Sequence, residues 1–336
     1  YQPSCHPLGR YDGASREGLV DDGTGSDNKP NRLATNDSAS PSNYRITDPK
    51  SLVGGSSPKK RFARNQAAIE SYLAITEQGE KPTKHHLDNI AAYIGWGSFG
   101  QELFQGSWDR VVNKPGFETE NKWLREHLGE SAWKSAQHSI TNAHYTDPIT
   151  VAAMWSMMEK LGFTGGRTLE PGLGIGNFFG MMPKHLADSS QLAGIELDET
   201  TGGMAKLLYP QANIQIKGYQ DSKTPDDFYD LVIGNFPFSA DGPIDRKYLK
   251  LNPSLHDYFF LKGVDQVRPG GLVMGITSTG TMDKSNRGVR VALAKKADLV
   301  AAFRLPSGAF KDYAGTEVVT DIVLSLIHIS EPTRPY

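Results

Sequence analysis

Cysteine is almost absent from this sequence: Cys5 is the only one among 336 residues. One thiol can form neither an internal disulfide nor a cysteine-rich zinc site. No apolar run approaches the roughly 20 residues of a membrane-spanning helix, and no charged-then-apolar signal sequence opens the chain. These absences predict a cytoplasmic protein with no membrane segment and no metal site.

The chain also lacks an excess of charge of either sign, with a net charge of −2. A nearly neutral surface does not by itself indicate binding to nucleic acid or to membranes. Any contact with DNA must therefore come from a local surface or from a part of the protein outside this sequence. The phosphate-binding pattern GxxxxGK(S/T) is missing as well, which excludes a recognisable ATPase in this segment.

Both ends of the chain are unusual. It opens at Tyr1 rather than at a methionine, and residues 325–336 resemble the translation of a sequencing-library adapter. We therefore expect a fragment whose native sequence continues past Leu324, and we expect residues 325–336 to be non-native.

The pattern of polar and apolar residues divides the chain into regions. Residues 1–55 are rich in Gly, Ser, Asp, Asn and Pro, which predicts a disordered or loosely packed segment. Residues 56–140 show helical periodicity, and residues 141–324 alternate between strand and helix patterns. Such alternation is typical of an α/β fold with a doubly wound, mostly parallel sheet, whose ligands bind at the carboxyl ends of the strands.

The predicted elements are short and follow one another closely. We expect strands at 167–172, 192–198, 213–219, 229–235, 270–278, 298–305 and 317–324. We expect helices at 65–79, 84–93, 117–140, 148–161, 177–186, 199–208, 256–267 and 286–296.

A glycine-rich turn follows the first of these strands, in the sequence EPGLGIGN that ends at Asn177. Dinucleotide-binding loops need a glycine at the sixth position of GxGxxG, where this chain has Asn177, so that fingerprint fails. A strand-end acid followed by GxGxG instead resembles the S-adenosylmethionine loop of class I methyltransferases. Missing β-carbons would let the backbone lie against the cofactor, and Glu170 would supply negative charge near its cationic sulfonium. The residues assigned to this loop are Glu170, Pro171, Gly172, Gly174, Gly176 and Asn177.

Further features are candidates for the same cofactor site. Glu196 ends the next predicted strand, where a carboxylate can accept hydrogen bonds from both ribose hydroxyls. Asp221 follows the third strand and could meet the adenine amine of the cofactor. The segment NAHYTDPITVAAMW resembles motif X of DNA methyltransferases, which touches the methionine part of the cofactor; this resemblance adds Tyr145, Thr146 and Pro148. The alternative is a structural glycine turn with solvated carboxylates.

The fourth predicted strand ends in DLVIGNFPF, where an apolar run stops at an amide, a proline and two aromatic rings. The exocyclic amine of a nucleobase is a poor nucleophile because its lone pair is delocalised, and two acceptors aimed at its N–H bonds can localise that pair. Asn235 offers a side-chain carbonyl, and the backbone of Phe236 offers a second, which Pro237 holds in extended geometry. Phe238 could stack on an extruded base. The alternative is a strand end whose aromatic rings belong to the core.

This corner resembles the D/N-P-P-Y/F motif of N6-adenine DNA methyltransferases, with Phe236 in place of the first proline. Residues 256–283 and 303–324 resemble the later part of an N-6 DNA methylase domain. Segments within 43–98 resemble the region ahead of that domain in large methylase–helicase fusion proteins of phages, plasmids and defence islands, among them the DarB-like antirestriction proteins. In that group a GN-x-PF corner is familiar.

The resemblance implies a DNA adenine-N6 methyltransferase that uses S-adenosylmethionine and acts on an adenine flipped from the duplex. It also implies a helicase region beyond this sequence. Two alternatives stay open. One is a methyltransferase for another amine, such as an rRNA base or a protein glutamine. The other is a non-catalytic protective phage protein with the same fold.

Other conspicuous residues are interpreted as structural. His256 and Asp257 are predicted to cap the start of a helix, since no third ligand stands nearby to complete a metal site. Tyr93, Trp96 and Phe99 are expected to pack in the core rather than to form a platform for base stacking.

Overall fold

A sheet of seven strands carries the α/β part of the chain. The computed structural model describes residues 41–52, 57–97, 99, 103–110, 112, 114–140, 146–307 and 319–329. The strands are β1 (Arg167–Pro171), β2 (Gln191–Glu196), β3 (Asn213–Ile216), β4 (Tyr229–Asn235), β5 (Val267–Ser278), β6 (Ala297–Arg304) and β7 (Thr320–Ile327).

The strands lie in the order β3-β2-β1-β4-β5-β7-β6. Strands β1 to β5 run parallel to one another, and β7 runs antiparallel to both of its neighbours. The order reverses between β1 and β4, and a ligand crevice forms at the carboxyl ends of the strands at such a point. The predicted doubly wound, mostly parallel sheet is therefore confirmed.

The helices of the described residues surround this sheet. They are α1 (Pro58–Thr76), α2 (Lys84–Ala91), α3 (Glu118–Ser139), α4 (Pro148–Lys160), α5 (Asn177–Met181), α6 (Lys184–Asp188), α7 (Glu199–Leu208), α8 (Leu255–Gln266), α9 (Gly280–Asp283) and α10 (Gly288–Ala294). None of them combines the length and the apolar character that crossing a membrane requires.

Most predicted elements are present, with small shifts in their ends. Helix α7 begins and ends where the sequence predicts, and its N-cap is the side chain of Asp198, which accepts a hydrogen bond from Thr201 N–H at 2.8 Å. A helix begins at Asn177, as predicted, but residues 177–186 do not form one continuous helix, because α5 ends at Met181 and α6 begins at Lys184. Met182 precedes Pro183 and has an extended backbone with ψ of 130°, as residues before proline prefer.

Helices α1 to α3 share a buried hydrophobic cluster with the sheet. Phe62 and Trp133 of these helices belong to the same cluster as Leu173 of the glycine turn and Met204 of α7. Elsewhere, α4 packs with Leu231 and Ile233 of β4, while α8 packs with the intervening Val232. Because alternate residues of a strand face opposite sides of a sheet, α4 and α8 lie on opposite faces. The predicted boundaries between the regions 1–55, 56–140 and 141–324 stay predictions.

Strand β7 continues past the predicted native end at Leu324. Ser325 and Leu326 pair with Val273 and Leu272 of β5. Pairing between backbones is largely independent of side-chain identity, so the non-native origin of residues 325–336 stays a prediction. Residues 1–40, 53–56 and 330–336, which include most of the predicted N-terminal disordered segment, lie outside the described residues.

Gly275 of β5 leaves room for the buried ring of Phe236, since a β-carbon at Gly275 would lie 2.4 Å from that ring. Replacing Gly275 by Ala is therefore expected to lower the free energy of unfolding by about 1–3 kcal/mol, the usual cost of overpacking a core. Gly234 pairs with Gly275 across the sheet, and a β-carbon there would come no closer than 3.4 Å to its neighbours. Gly234→Ala is thus the matched control in urea denaturation, and equal losses in the two variants would contradict this role of Gly275.

Candidate active site

A cavity of about 580 Å³ opens at the carboxyl ends of β1, β2 and β4. Its wall includes the glycine turn after β1, the acid that ends β2 and the corner that ends β4. The loop after β3 adds Tyr219, and α8 adds Phe259. Pockets of about 300–1,000 Å³ typically hold small organic ligands. The cavity therefore has the size and the position of a ligand site in a doubly wound sheet.

The glycine turn joins β1 to α5. Gly174 and Gly176 have φ values of +57° and +78°, in the left-handed region that disfavours residues with a β-carbon. A β-carbon at Gly176 would also lie 2.5 Å from the ring of Tyr209. Gly172, Gly174 and Asn177 line the cavity. Gly176 thus permits the turn, and its neighbours form the cavity wall.

Glu196 ends β2 with both carboxylate oxygens bonded to the backbone. Gly174 N–H donates to Oε2 at 2.7 Å, and Asp198 N–H donates to Oε1 at 2.9 Å. Burial raises the pKa of Glu196 to about 7, although the backbone hydrogen bonds oppose that rise. Each carboxylate oxygen has a second lone pair. Glu196 can therefore accept hydroxyl donors from the cavity while it stays bonded to the turn.

Glu170, at the end of β1, is 3% exposed and lines the cavity. Within the described part of the chain, its Oε2 atom has no hydrogen-bond partner. Burial and the nearby Glu196 carboxylate raise the pKa of Glu170 well above its usual value. A cation bound beside it would lower that pKa. Together the two acids suit a ligand that carries both a positive charge and hydroxyl groups.

The corner after β4 lies against the glycine turn. A β-carbon on Gly172 would be 3.6 Å from Pro237 Cδ and 3.8 Å from the backbone oxygen of Asn235. Asn235 is half-buried, pairs with Ile276 of β5, and lines the cavity together with Pro237. The structure therefore brings the amide of the fourth strand and the glycine turn of the first strand to one cavity.

The two aromatic residues of the corner have different surroundings. Phe236 is fully buried, and its ring centroid lies 4.8 Å from that of Phe260. Its backbone N–H donates to the carbonyl oxygen of Ile276 at 3.0 Å, which fixes the main chain here. Phe238 is half-buried, lies edge-on to His256 with centroids 6.4 Å apart, and is outside the cavity wall. The side chain of Phe236, which is absent from the proline motif, therefore belongs to the core.

The residues predicted from motif X have mixed placements. Thr146 is buried and lines the cavity, whereas Tyr145 lies outside the described residues. Pro148 is the first residue of α4 and is buried outside the cavity wall, as is Pro171 at the end of β1. Among the described residues of this set, Thr146 can therefore touch a ligand in the cavity directly, whereas Pro148 and Pro171 do not line it.

Asp221 does not line the cavity, although the sequence predicts a contact with the cofactor. It is exposed and accepts a hydrogen bond from the side chain of Gln220 at 2.9 Å. Gln220 does line the cavity, as does Tyr219. These residues form a single 3-10 turn, Tyr219–Asp221, so a shift of one residue decides which side chain reaches the ligand space.

Part of the cavity wall comes from the N-terminal helical region. Tyr93 and Trp96 are each 3% exposed and belong to the core, as the sequence predicts, yet both also line the cavity. Ser135 and Ser139 of α3 line it too. A buried aromatic residue gives the same sequence pattern whether or not a cavity adjoins it, so sequence reasoning missed this wall.

His256 and Asp257 do not cap α8, whose N-cap is Ser254, so that prediction is wrong. Asp257 is 1% exposed and accepts hydrogen bonds from Ser254 Oγ and Lys284 Nζ. His256 Nε2 bonds with the hydroxyls of Ser254 and Ser278. These side chains form a buried polar cluster that joins α8 to the end of β5. The described residues contain no group of three or more His, Cys, Asp or Glu side chains that could hold a metal ion.

The fold is shared with a protein of Listeria monocytogenes described as a class I S-adenosylmethionine-dependent methyltransferase. The match covers 82% of this chain and 91% of that one, with a TM-score of 0.52 and 17% identity. The chain therefore has the class I methyltransferase fold, as predicted. The methyltransferase subunit of a type I restriction-modification system from Streptococcus thermophilus matches 81% of this chain and 79% of its own, with a TM-score of 0.49 and 13% identity.

In sequence, the chain is similar to Defense against restriction protein B, or DarB, of Escherichia phage P1, with 32% identity over 194 residues. The similar region is 56% of this chain and 8% of the phage protein, so the chain spans a small part of that relative's length. No protein-family model matches the chain. The resemblance to DarB-like antirestriction proteins is confirmed.

Proposed function

We propose that this chain is a domain that transfers a methyl group from S-adenosylmethionine to the N6 amine of adenine in DNA. The observation that carries the proposal is a shared cavity: Gly172, Asn235 and Pro237 all line it. A cofactor held on the glycine turn would therefore lie beside the amide that ends β4. Similarity to a phage protein named for defence against restriction supports DNA as the acceptor.

The proposed cofactor contacts follow from the polar groups of the cavity. Glu170 would pair with the positively charged methionine part, because it is a buried acid whose Oε2 atom has no partner among the described residues. Glu196 would accept the ribose hydroxyls, and the backbones of Gly172 and Gly174 would allow close approach. Thr146 adds a hydroxyl to the same wall. When bound, the cofactor supplies an electrophilic methyl group on a sulfonium.

The proposed role of the corner is to activate the adenine amine. The side-chain oxygen of Asn235 and the backbone oxygen of Phe236 would accept hydrogen bonds from the two N–H groups of the amine and so orient its lone pair. The main chain that carries the second acceptor is fixed by the hydrogen bond to Ile276 and by Pro237. Neither acceptor is a base, so the proton that the amine releases goes to water. Phe238 would stack on the flipped adenine once DNA is bound.

Incubation with labelled S-adenosylmethionine and DNA, rRNA or protein in parallel, followed by digestion of each acceptor and identification of the methylated product, tests this function. The expected product is N6-methyldeoxyadenosine. Label found instead in an rRNA base or in a protein glutamine would contradict the DNA assignment and favour the other amine acceptors. A chain that gives no calorimetric signal with S-adenosylmethionine at high micromolar concentration would contradict the enzyme proposal and favour a non-catalytic protective protein.

The biological setting is also part of the proposal. We infer from the family resemblance that the domain acts in the cytoplasm, within a larger antirestriction or defence protein that contains a helicase region. Residues 56–140 and 141–324 would be the helical and the methyltransferase parts of this segment. The uninterrupted reading frame beyond Leu324 tests the helicase inference, and a frame that encodes no helicase would contradict it.

Binding of S-adenosylmethionine is expected to strengthen with pH. The pKa of Glu196 is raised to about 7, so the carboxylate that accepts the ribose hydroxyls is the minor form at pH 6 and the major form at pH 8. We expect about tenfold tighter binding at pH 8 than at pH 6. The pKa of Glu170 is also raised, so its ionisation at higher pH likewise favours binding of the positively charged cofactor. Calorimetry between pH 6 and pH 8 measures the Kd for S-adenosylmethionine. Glu196→Gln should remove the part of the pH dependence that comes from Glu196. A Kd that does not change with pH in the unaltered chain would contradict the prediction.

A further inference from the structure

A continuous chain of hydrogen bonds links α3 to the glycine turn. Ser135 Oγ donates to Asp198 Oδ1 at 2.5 Å. The Asp198 N–H donates to Glu196 Oε1 at 2.9 Å, and the other oxygen of Glu196 accepts from Gly174 N–H at 2.7 Å. A side chain of the N-terminal helical region is thus connected, through one residue, to the proposed ribose-binding carboxylate.

Asp198 is held at both carboxylate oxygens. While Oδ1 accepts from Ser135, Oδ2 accepts from the Thr201 hydroxyl at 2.6 Å and from the Thr201 N–H at 2.8 Å. Thr201 in turn shares a side-chain hydrogen bond with Tyr93. Two segments of the N-terminal helical region therefore converge on the loop between β2 and α7.

The position of Ser135 is fixed by the packing of its own helix. Trp133 is fully buried and Ala136 is 5% exposed, both within the cluster that joins α1 to α3 with the sheet. The ring of Trp133 lies 5.6 Å from that of Phe104. Ser135 and Ser139, one helical turn apart, line the cavity beside these anchors. The hydroxyl that meets Asp198 is thus carried by a well-anchored element.

We propose that the N-terminal helical region forms one wall of the cofactor site, and that Ser135 is a positioning residue that orients Glu196 through Asp198. The inference rests on the proposed function, since it concerns the same cofactor. The Ser135 hydroxyl fixes the Asp198 side chain, and with it the backbone N–H that holds Glu196 Oε1. The carboxylate then keeps its remaining lone pairs in the orientation that ribose hydroxyls need.

Calorimetry with S-adenosylmethionine on the full chain tests this role. Ser135→Ala is expected to raise the Kd about tenfold, because binding must then supply the free energy that orders the Asp198–Glu196 pair. The rate of methyl transfer at saturating cofactor should stay within about twofold, because Ser135 touches neither reacting atom. Ser135→Thr keeps the hydroxyl and should restore the Kd to within about twofold. Ser131→Ala, at an exposed position of the same helix, is the matched control and should change nothing.

A double-mutant cycle separates positioning from general stability. If Ser135 acts through Glu196, then Ser135→Ala should change the Kd by less than about twofold when Glu196→Gln is already present. A tenfold effect that persists in that background, or a Ser135→Ala chain that binds as tightly as the unaltered one, would overturn the inference while leaving the proposed function intact. Absence of binding by the unaltered chain would overturn both.

Discussion

Replacing Asn235 by Ala is expected to lower the rate of methyl transfer by about 100-fold or more. The amide side chain would be one of two acceptors that orient the target amine, and the loss of one such preorganised group typically costs about that much. The Kd for S-adenosylmethionine should stay within about threefold, because the proposed cofactor contacts come from Glu170, Glu196 and the glycine turn. Single-turnover methylation of DNA and calorimetry measure the two quantities separately.

The matched control for this prediction is Asn213→Ala. Asn213 is exposed at the start of β3, outside the cavity wall. Asn213→Ala should leave both the rate of methyl transfer and the Kd for S-adenosylmethionine unchanged. If Asn235→Ala methylates DNA at the rate of the control, the proposed chemistry of the corner is wrong, whatever the fold. If both variants lose activity, a general loss of stability is responsible.

Replacing Phe236 by Ala is expected to lower the free energy of unfolding by about 3–5 kcal/mol, as for other buried phenylalanines. Its ring is fully buried against Phe260 and fills the space over Gly275. Phe238, two residues later, is only half-buried. Phe238→Ala should therefore lower the free energy of unfolding by only about 1–2 kcal/mol. Urea denaturation of the two variants measures the difference, and similar losses would contradict the assignment of the Phe236 ring to the core.

A variant that keeps most of the core volume separates the side chain of Phe236 from its backbone. Phe236→Leu should lose less stability than Phe236→Ala. Because the proposed acceptor at this position is the main-chain oxygen, Phe236→Leu should also methylate DNA at close to the rate of the unaltered chain. A folded Phe236→Leu chain that cannot methylate DNA would show that the aromatic ring itself takes part in the reaction.

The parts of the fold that local sequence determines could be predicted from the sequence. Alternation of apolar strands and helices predicts the parallel sheet, and Asp198 marks the start of α7 because its side chain caps that helix. The glycine turn and Asn235 could be placed at one edge because parallel strands end together. Their roles in catalysis and cofactor binding stay predictions.

The features that depend on distant segments could not be predicted. Ser135 and Tyr93 reach the cavity only because α1 to α3 pack on the sheet, and no local pattern specifies that contact. The surroundings of His256 are set by Ser278, from another element. The conformation of the 3-10 turn after β3 places Gln220 rather than Asp221 on the cavity wall, and the sequence pattern does not specify that conformation.

The place of β7 in the sheet affects how the protein folds as the ribosome makes it. Among the described residues, β6 pairs with β7 alone, and β7 also covers the edge of β5. Strand β6 therefore cannot join the sheet until Thr320–Ile327 has been synthesised, which at about 5–20 residues per second takes on the order of seconds. During that interval β5 is an uncovered edge strand, with the apolar residues Val273, Met274 and Ile276 next to unpaired backbone groups. Until its last described strand emerges, the nascent chain therefore presents an apolar sheet edge of the kind that can pair with other chains.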